Sequence, residues 1–515
     1  MIKQIKLISA LSTVGSWTLA SRVLGFLRDI LIAAFLGAGP IAEAFLIAFS
    51  LPNMFRRFFA EGAFSMAFIP LFSKKLTDKN KAREFANNSF NALGLILIIV
   101  TIIAQAFMPL LVYLMASGFV ADERFDVSVL YARIAFPYIL FISLAALLSG
   151  VLNSTGRFTA AAAAPLTLNI IFIFALTMAS KLGWDIGLTL ACSVPLAGLA
   201  QLILVWKAAS LSGFRLVPRM PNFNPDLRRL LIIAGPAALA GGVVQVNLLV
   251  GRQIASYFDG AIAWLSYADR LYQLPLGVVG IAIGVVLLPD LSRKLQLNDQ
   301  RGVQHAFNRA YEIAMVFTIP SAIALVIIPN TLVGVLFERG LFDSFDTTRT
   351  AAAVLVYALG LPAFVLQKIL QPVYFSHGNT KKPFYFAAIS MVINVIIALS
   401  FIPYFGYLAP AIGTTIAGWS MAILLTYYAR EYGAATKFDK KNYRSLPLII
   451  MASLLMGVVI YLLDIFLSDA LEQLNLKYLS LTIIIFGGVL SYAIIGQLLG
   501  AFNLRELKSS LKSQK

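Results

Sequence analysis

Long apolar runs separated by short polar links repeat along the whole chain. A helical crossing of a bilayer core needs about 20 apolar residues. On that measure the pattern predicts helices at 7–36, 41–72, 85–115, 128–152, 158–180, 186–207, 227–256, 261–291, 304–328, 350–375, 384–402, 407–429, 446–465 and 478–500. Fourteen spans is an even number, which places both termini on one side. The runs are too long and too uniform for barrel strands, so the predicted fold class is all-α and polytopic. The first residues, MIKQIKLISALSTVGSWTLASRVLG, have the basic and apolar parts of a leader, but the apolar helix continues to about Leu36. It therefore reads as a retained first span.

Composition agrees with the pattern. Of the 515 residues 59% are hydrophobic and 13% charged, with a mean hydropathy of +0.84; a soluble chain carries about a quarter charged residues. The net charge of +17 would fit a nucleic-acid binder, but its distribution argues otherwise. Loops on the terminal side hold 27 lysines and arginines, among them Lys74, Lys75, Lys79, Lys81, Lys207, Arg215 and Arg219, and the opposite loops hold 5. That asymmetry predicts cytoplasmic termini and accounts for the charge without nucleic acid. A lone Cys192 and only His305 and His377 exclude a disulfide framework and a multi-histidine metal site. No GxxxxGK[ST], H-E-x-x-H or CxxC motif and no Ser-His-Asp candidate is present, so neither an enzyme nor a cofactor is expected.

The chain also repeats internally. PLFSKKL at 70–76 matches PDLSRKL at 289–295, NSTGRF at 153–158 matches the HGNTKKP loop at 377–383, and FP at 136–137 matches LP at 361–362. Two six-helix lobes follow, 1–220 and 221–435, leaving an appended helix pair and tail at 436–515. A parallel repeat of this kind implies a pseudo-two-fold axis along the membrane normal and a cavity between lobes.

Charges inside the spans carry the chemistry. Arg22, Arg28 and Asp29 fall in the first span, Glu43, Asn53, Arg56, Arg57 and Glu61 in the second, and Asp269 and Arg270 in the eighth. Counted from the first hairpin turn, Arg22 and Arg56 lie at matching depths of ~25 Å and Arg28 at ~16 Å; Arg270 lies ~15 Å below the turn near Gly260. Intramembrane charges mark functional sites. Four arginines in the first two spans face three carboxylates, which predicts a cationic, water-filled cavity. Arginine suits a phosphate because its fork donates in pairs and keeps its charge. Arg28–Asp29 and Asp269–Arg270 are neighbours whose side chains diverge, so each is expected to find partners elsewhere, whereas Arg57 and Glu61 are spaced to pair. Pro52 and Gly62, with Pro275, Gly277, Gly280 and Gly284, are expected to break or loosen the second and eighth helices. Asn53 can bond the backbone beside Pro52 or line the cavity.

SRVLGFLRD, the LPNxxRRxFAEGAFSxAFxP block and YADRLYQLPLGVVGIAIGVVLLP closely resemble the MurJ (MviN) lipid II flippases of bacteria, a family of the multidrug/oligosaccharidyl-lipid/polysaccharide exporter superfamily. The resemblance covers essentially the whole chain. It implies transfer of the lipid-linked peptidoglycan precursor from the cytoplasmic to the periplasmic leaflet of the cytoplasmic membrane by a monomer. It implies cavity arginines at Arg22, Arg28, Arg56 and Arg270, an acidic site at Asp29, and a lipid groove on the last two helices. Glu43 stands where the family often has Asp, and Gln273 where it often has Glu. The expected partners are lipid II and membrane lipids, and the expected energy source is an ion gradient or the membrane potential, at ~2.3 kcal/mol per charge per 100 mV. Rival readings are a flippase for another polyprenyl-pyrophosphate-linked glycan, a multidrug exporter, which the arginine surplus disfavours, a non-transporting scaffold for peptidoglycan synthesis, and a lipid-processing enzyme.

Overall fold

The computed structural model describes residues 2–57, 64–297, 299–472 and 476–503. Among these residues every regular element is helical; the sole β feature is an isolated bridge between Arg339 and Phe342. The chain separates into two compact units, Met1–Ala263 with Arg339–Phe342, and Trp264–Glu338 with Asp343–Lys515.

The first unit contains α1 (Ile2–Leu36), α2 (Pro40–Arg56), α3 (Phe64–Lys75), α4 (Lys79–Ala106), α5 (Met108–Met115), α6 (Arg124–Ala135), α7 (Tyr138–Ser154), α8 (Thr159–Leu182), α9 (Ile186–Leu211) and α10 (Pro225–Ala255). The second is built from α11 (Ala261–Gln296), whose first turn belongs to the first unit, then α12 (Gln300–Ile327), α13 (Pro329–Phe337), α14 (Ser344–Ser376), α15 (Lys381–Phe405), α16 (Ala409–Ala429), α17 (Lys440–Glu472) and α18 (Lys477–Leu498). All fourteen predicted segments fall on this helical backbone, apart from residues 58–63 of the second, which lie outside the described residues together with Glu61 and Gly62. By length and composition, nine helical stretches among the described residues can cross a membrane, and Lys381–Gly433 combines two predicted spans.

Proline explains where predicted segments divide. The 85–115 segment is interrupted at Phe107, where Pro109 opens α5. The 128–152 segment divides at Phe136–Pro137. A further helix, α13, begins at Pro329 just past a predicted end. Proline tolerates these starts because it lacks an N–H that a first turn leaves unbonded. Neither Pro52 nor Pro275 breaks its helix: α2 and α11 run through them.

Within the first unit, α1 packs on α8, α8 and α7 on α9, and α2 on α6. The tip 339–342 docks on the end of α1, where the Leu341 N–H donates to the Ala34 carbonyl at 2.9 Å. A Cβ on Gly340 would stand 2.1 Å from the Ala34 oxygen, and one on Gly37 would stand 2.6 Å from the Leu341 oxygen. Both glycines have φ of +62°, so backbone sterics and the close approach each demand glycine. In the second unit, α14 and α15 pack on α16 and α12 packs on α14 and α17. The pair α17–α18 joins α12 and α13 through Ile449, Met456, Ile460 and Ile484, while the Tyr492 hydroxyl donates to the Val316 carbonyl at 2.9 Å.

A polar device recurs in both units. Asn91 on α4 donates to the Val217 carbonyl at 3.1 Å and accepts from the Arg219 N–H at 2.8 Å. Asn308 on α12 donates to the Lys437 carbonyl and accepts from the Asp439 N–H, both at 3.0 Å. Each asparagine thus bonds residues i and i+2 of the link leading to the next helix, a structural echo of the sequence repeat. Asn442 donates to Asn308 Oδ1 at 2.7 Å and secures the start of α17. Replacing Asn308 with Ala strands these buried groups, so the variant should lose about 1–3 kcal/mol and melt at a lower temperature in detergent. An unchanged melting temperature would exclude this role.

Candidate functional site

Arg28 and Asp29 lie in the last third of α1 and are buried. Their side chains meet directly, contrary to the divergence expected of neighbours: Arg28 Nε donates to Asp29 Oδ1 at 3.0 Å and Nη2 donates to the same oxygen at 2.7 Å. The long guanidinium stem curls back far enough to do this. Arg28 Nη1 donates to Asn169 Oδ1 on α8 at 3.0 Å, and the guanidinium stands 5.7 Å from the Phe172 ring. The Asn169 amide nitrogen in turn donates to the Ser21 carbonyl at 2.9 Å. One amide therefore holds two levels of α1, and its orientation is fixed because the oxygen must face Arg28 and the NH2 must face Ser21.

Arginine has five N–H donors. Asp29 and Asn169 take three of those on Arg28, leaving one on each terminal nitrogen. Those two donors belong to a site already balanced by one carboxylate, and charged N–H groups of this kind suit phosphate oxygens.

Sequence reasoning missed Asn169. Its signal was available: a lone amide inside the apolar run TLNIIFIFAL needs a polar partner in a membrane helix.

The other predicted residues have different settings. Arg22 is exposed on α1. Arg56 is half-buried in the last turn of α2, and Arg57 is exposed at the end of that helix. Asn53 donates from its side-chain amide to the Phe49 carbonyl at 2.8 Å, the backbone-bonding alternative of the two expected for it. Glu61 lies outside the described residues, so its pairing with Arg57 has no geometry here. In the second unit Arg270 is exposed on α11, and the Gln273 amide donates to the Asp269 carboxylate one turn earlier. Gln273 thus bonds a neighbouring carboxylate that a glutamate would repel.

Glu43 belongs to a second charge cluster. It is 1% exposed, accepts from Arg124 Nη1 at 2.8 Å, and accepts from the Ile262 N–H at 3.0 Å, which caps the start of α11. Arg124 also meets Asp122 and Asp259 at 2.5 and 2.8 Å and lies over the Phe119 ring at 4.5 Å. Hydrogen bonds from Arg124 hold the Asp122 carboxyl below its ordinary range. The stabilisation from Asp122 is thus complete above the usual carboxylate range and fades as pH falls through its lowered value. One guanidinium facing three carboxylates leaves this cluster acidic and ill-suited to an anion.

The chain matches the family model described as lipid II flippase MurJ over residues 32–481. It belongs to the lipid II flippase MurJ family. A Rhizobium tropici protein named probable lipid II flippase MurJ is 39% identical to it, across 99% of this chain and 97% of the relative. A solved MurJ structure in an inward closed conformation superposes with a TM-score of 0.79 at 27% identity, covering 94% of this chain and 98% of its own. An inward-facing multidrug MATE transporter shares the fold alone, with a TM-score of 0.70 at 16% identity, 81% of this chain and 95% of its own.

Replacing Arg124 with Leu leaves Glu43 buried without its cation and should cost about 3–5 kcal/mol. Asp259, 93% exposed, makes a screened pair, so Asp259→Asn should cost less than ~1 kcal/mol. Thermal melts of the two variants in detergent check this ranking, and equal losses would refute it.

Proposed function

We propose that the protein is a transporter, not an enzyme, that moves lipid II across the bacterial cytoplasmic membrane. Membership of the MurJ family over nearly the whole chain carries this reading. The buried Arg28 fork supports it, because a pyrophosphate crossing an apolar interior must exchange water for donors of fixed charge. Arg22, Arg56, Arg57 and Arg270 supply further positive charge along the route, and Asp29 balances the charge of Arg28. Glu43 serves the route indirectly, by fixing the start of α11.

In this proposal fourteen spans form two six-helix lobes, 1–220 and 221–435, followed by the pair at 436–515. Both termini face the cytoplasm, as the loop charges favour. A monomer exposes the arginine-lined cavity to each side in turn, driven by an ion gradient or the membrane potential. The C55 tail stays in lipid, and only the headgroup enters the cavity.

The test uses cells in which this protein is the sole flippase, depleted and then re-expressed. Wild type should restore lipid II accessibility at the outer face. Arg28→Ala and Arg270→Ala should insert normally and fail to restore it, since losing a charged contact of about 2 kcal/mol slows transfer roughly thirtyfold. Full activity in both variants would remove the assigned arginine roles, and unchanged accessibility on depletion would remove lipid II as the substrate.

Asn169→Ala should impair transfer through loss of Arg28 orientation, and Asn169→Gln, which keeps the amide, should recover part of it. Normal transfer by Asn169→Ala would show that Arg28 needs no such support.

A further inference from the structure

We infer that the strap 211–224, which joins α9 to α10, is a membrane-surface anchor for anionic phospholipid. The inference stands independently of the proposed transport substrate. The strap is held in one extended conformation by side chains of α4. Asn87 accepts from the Val217 N–H at 2.6 Å, and Asn88 accepts from the Asn222 N–H at 2.7 Å and donates to the Asn222 carbonyl at 2.5 Å. Asn91 adds the two bonds described above. Phe214 and Leu216 point inward, with Phe214 edge-on to Phe72 at 5.6 Å. With its backbone bonded to one side, the strap presents its remaining side chains outward.

Those outward side chains are of two kinds. Leu211 and Met220 are each 84% exposed and Phe223 is 71% exposed, among the most exposed large apolar residues of the described chain. Lys207, Arg215 and Arg219 are the charged residues of 207–224, which contains no Asp or Glu. The nearest following carboxylate, Asp226, is paired with Lys75 at 2.8 Å. Large apolar side chains beside unpaired cations at a helix end match a segment lying in the headgroup layer, its apolar groups dipping into the acyl region.

An open depression adjoins the strap. Ile203, Trp206, Lys207, Ser210 and Leu211 line about 480 Å³ along one face of the end of α9. Below it the exposed Leu196, Leu199 and Ile203 continue along the same helix. An acyl chain can follow that apolar row while Lys207 and Ser210 meet the phosphate and Trp206 sits at interfacial depth. Charge complementarity selects an anionic lipid over a zwitterionic one.

The test uses the full chain in nanodiscs of phosphatidylglycerol or phosphatidylcholine. Spin labels go on Met220→Cys and Phe223→Cys in a Cys192→Ala background, with Gln300→Cys as the aqueous reference. Both strap labels should be relaxed more by oxygen than by a water-soluble nickel complex, the reverse of Gln300→Cys. Native mass spectrometry should show phosphatidylglycerol retained in preference to phosphatidylcholine. The triple variant Lys207→Gln, Arg215→Gln, Arg219→Gln should weaken that retention by about fivefold for each charge removed. Strap labels that report water, or shielding from both relaxants as under a protein partner, would overturn the inference. So would undiminished phosphatidylglycerol retention in the triple variant, and the label measurement decides the matter should that variant not fold.

Discussion

A guanidinium inside a bundle of apolar helices has no water to solvate it, and the protein must supply the missing acceptors. Arg28 and Arg124 show two ways of doing so. Arg124 is surrounded by Glu43, Asp122 and Asp259, which occupy Nε, Nη1 and Nη2 and leave the cluster acidic. Arg28 receives one carboxylate and one neutral amide, which balance its charge and leave an N–H on each terminal nitrogen. The first arrangement locks structure together. The second balances its charge and keeps donors of the kind an anion accepts.

The asparagines carry a related constraint at the helix ends. Links between lipid-facing helices must satisfy their own backbone, and Asn87, Asn88, Asn91 and Asn308 do so with side-chain amides that imitate a strand edge. The recurrence of the Asn91 pattern at Asn308 ties the sequence repeat to a shared way of holding the links that precede α10 and α17. In the first set it also determines which side chains of the strap face outward.

Much of the architecture was legible in the chain because span length and proline position are local properties. Among the described residues the segments read from hydropathy fall on helix, and Pro109, Pro137 and Pro329 mark where backbone turns. Pro52 and Pro275 do not end their helices, since a proline inside a packed helix need not interrupt it. At the site, Arg28 and Asp29 stood out as charge in an apolar run, but their mutual pairing did not, because it depends on how a flexible stem bends. Asn169 and Arg124 were harder to see: their roles arise from contacts with residues 141 and 81 positions away. Glu43 stood out as charge in an apolar run, but its cap on α11 did not, because that contact joins residues 219 positions apart.

Passage of a pyrophosphate headgroup along the buried Arg28 site can be measured with purified protein in vesicles. Fluorescent lipid II and an uncharged polyprenyl-linked sugar would be placed in the outer leaflet, and their arrival in the inner leaflet followed. Lipid II should cross rapidly and the uncharged lipid not at all, and inorganic pyrophosphate should abolish lipid II transfer by competition. Transfer of both lipids at equal rates, or of lipid II no faster than in protein-free vesicles, would contradict this reading.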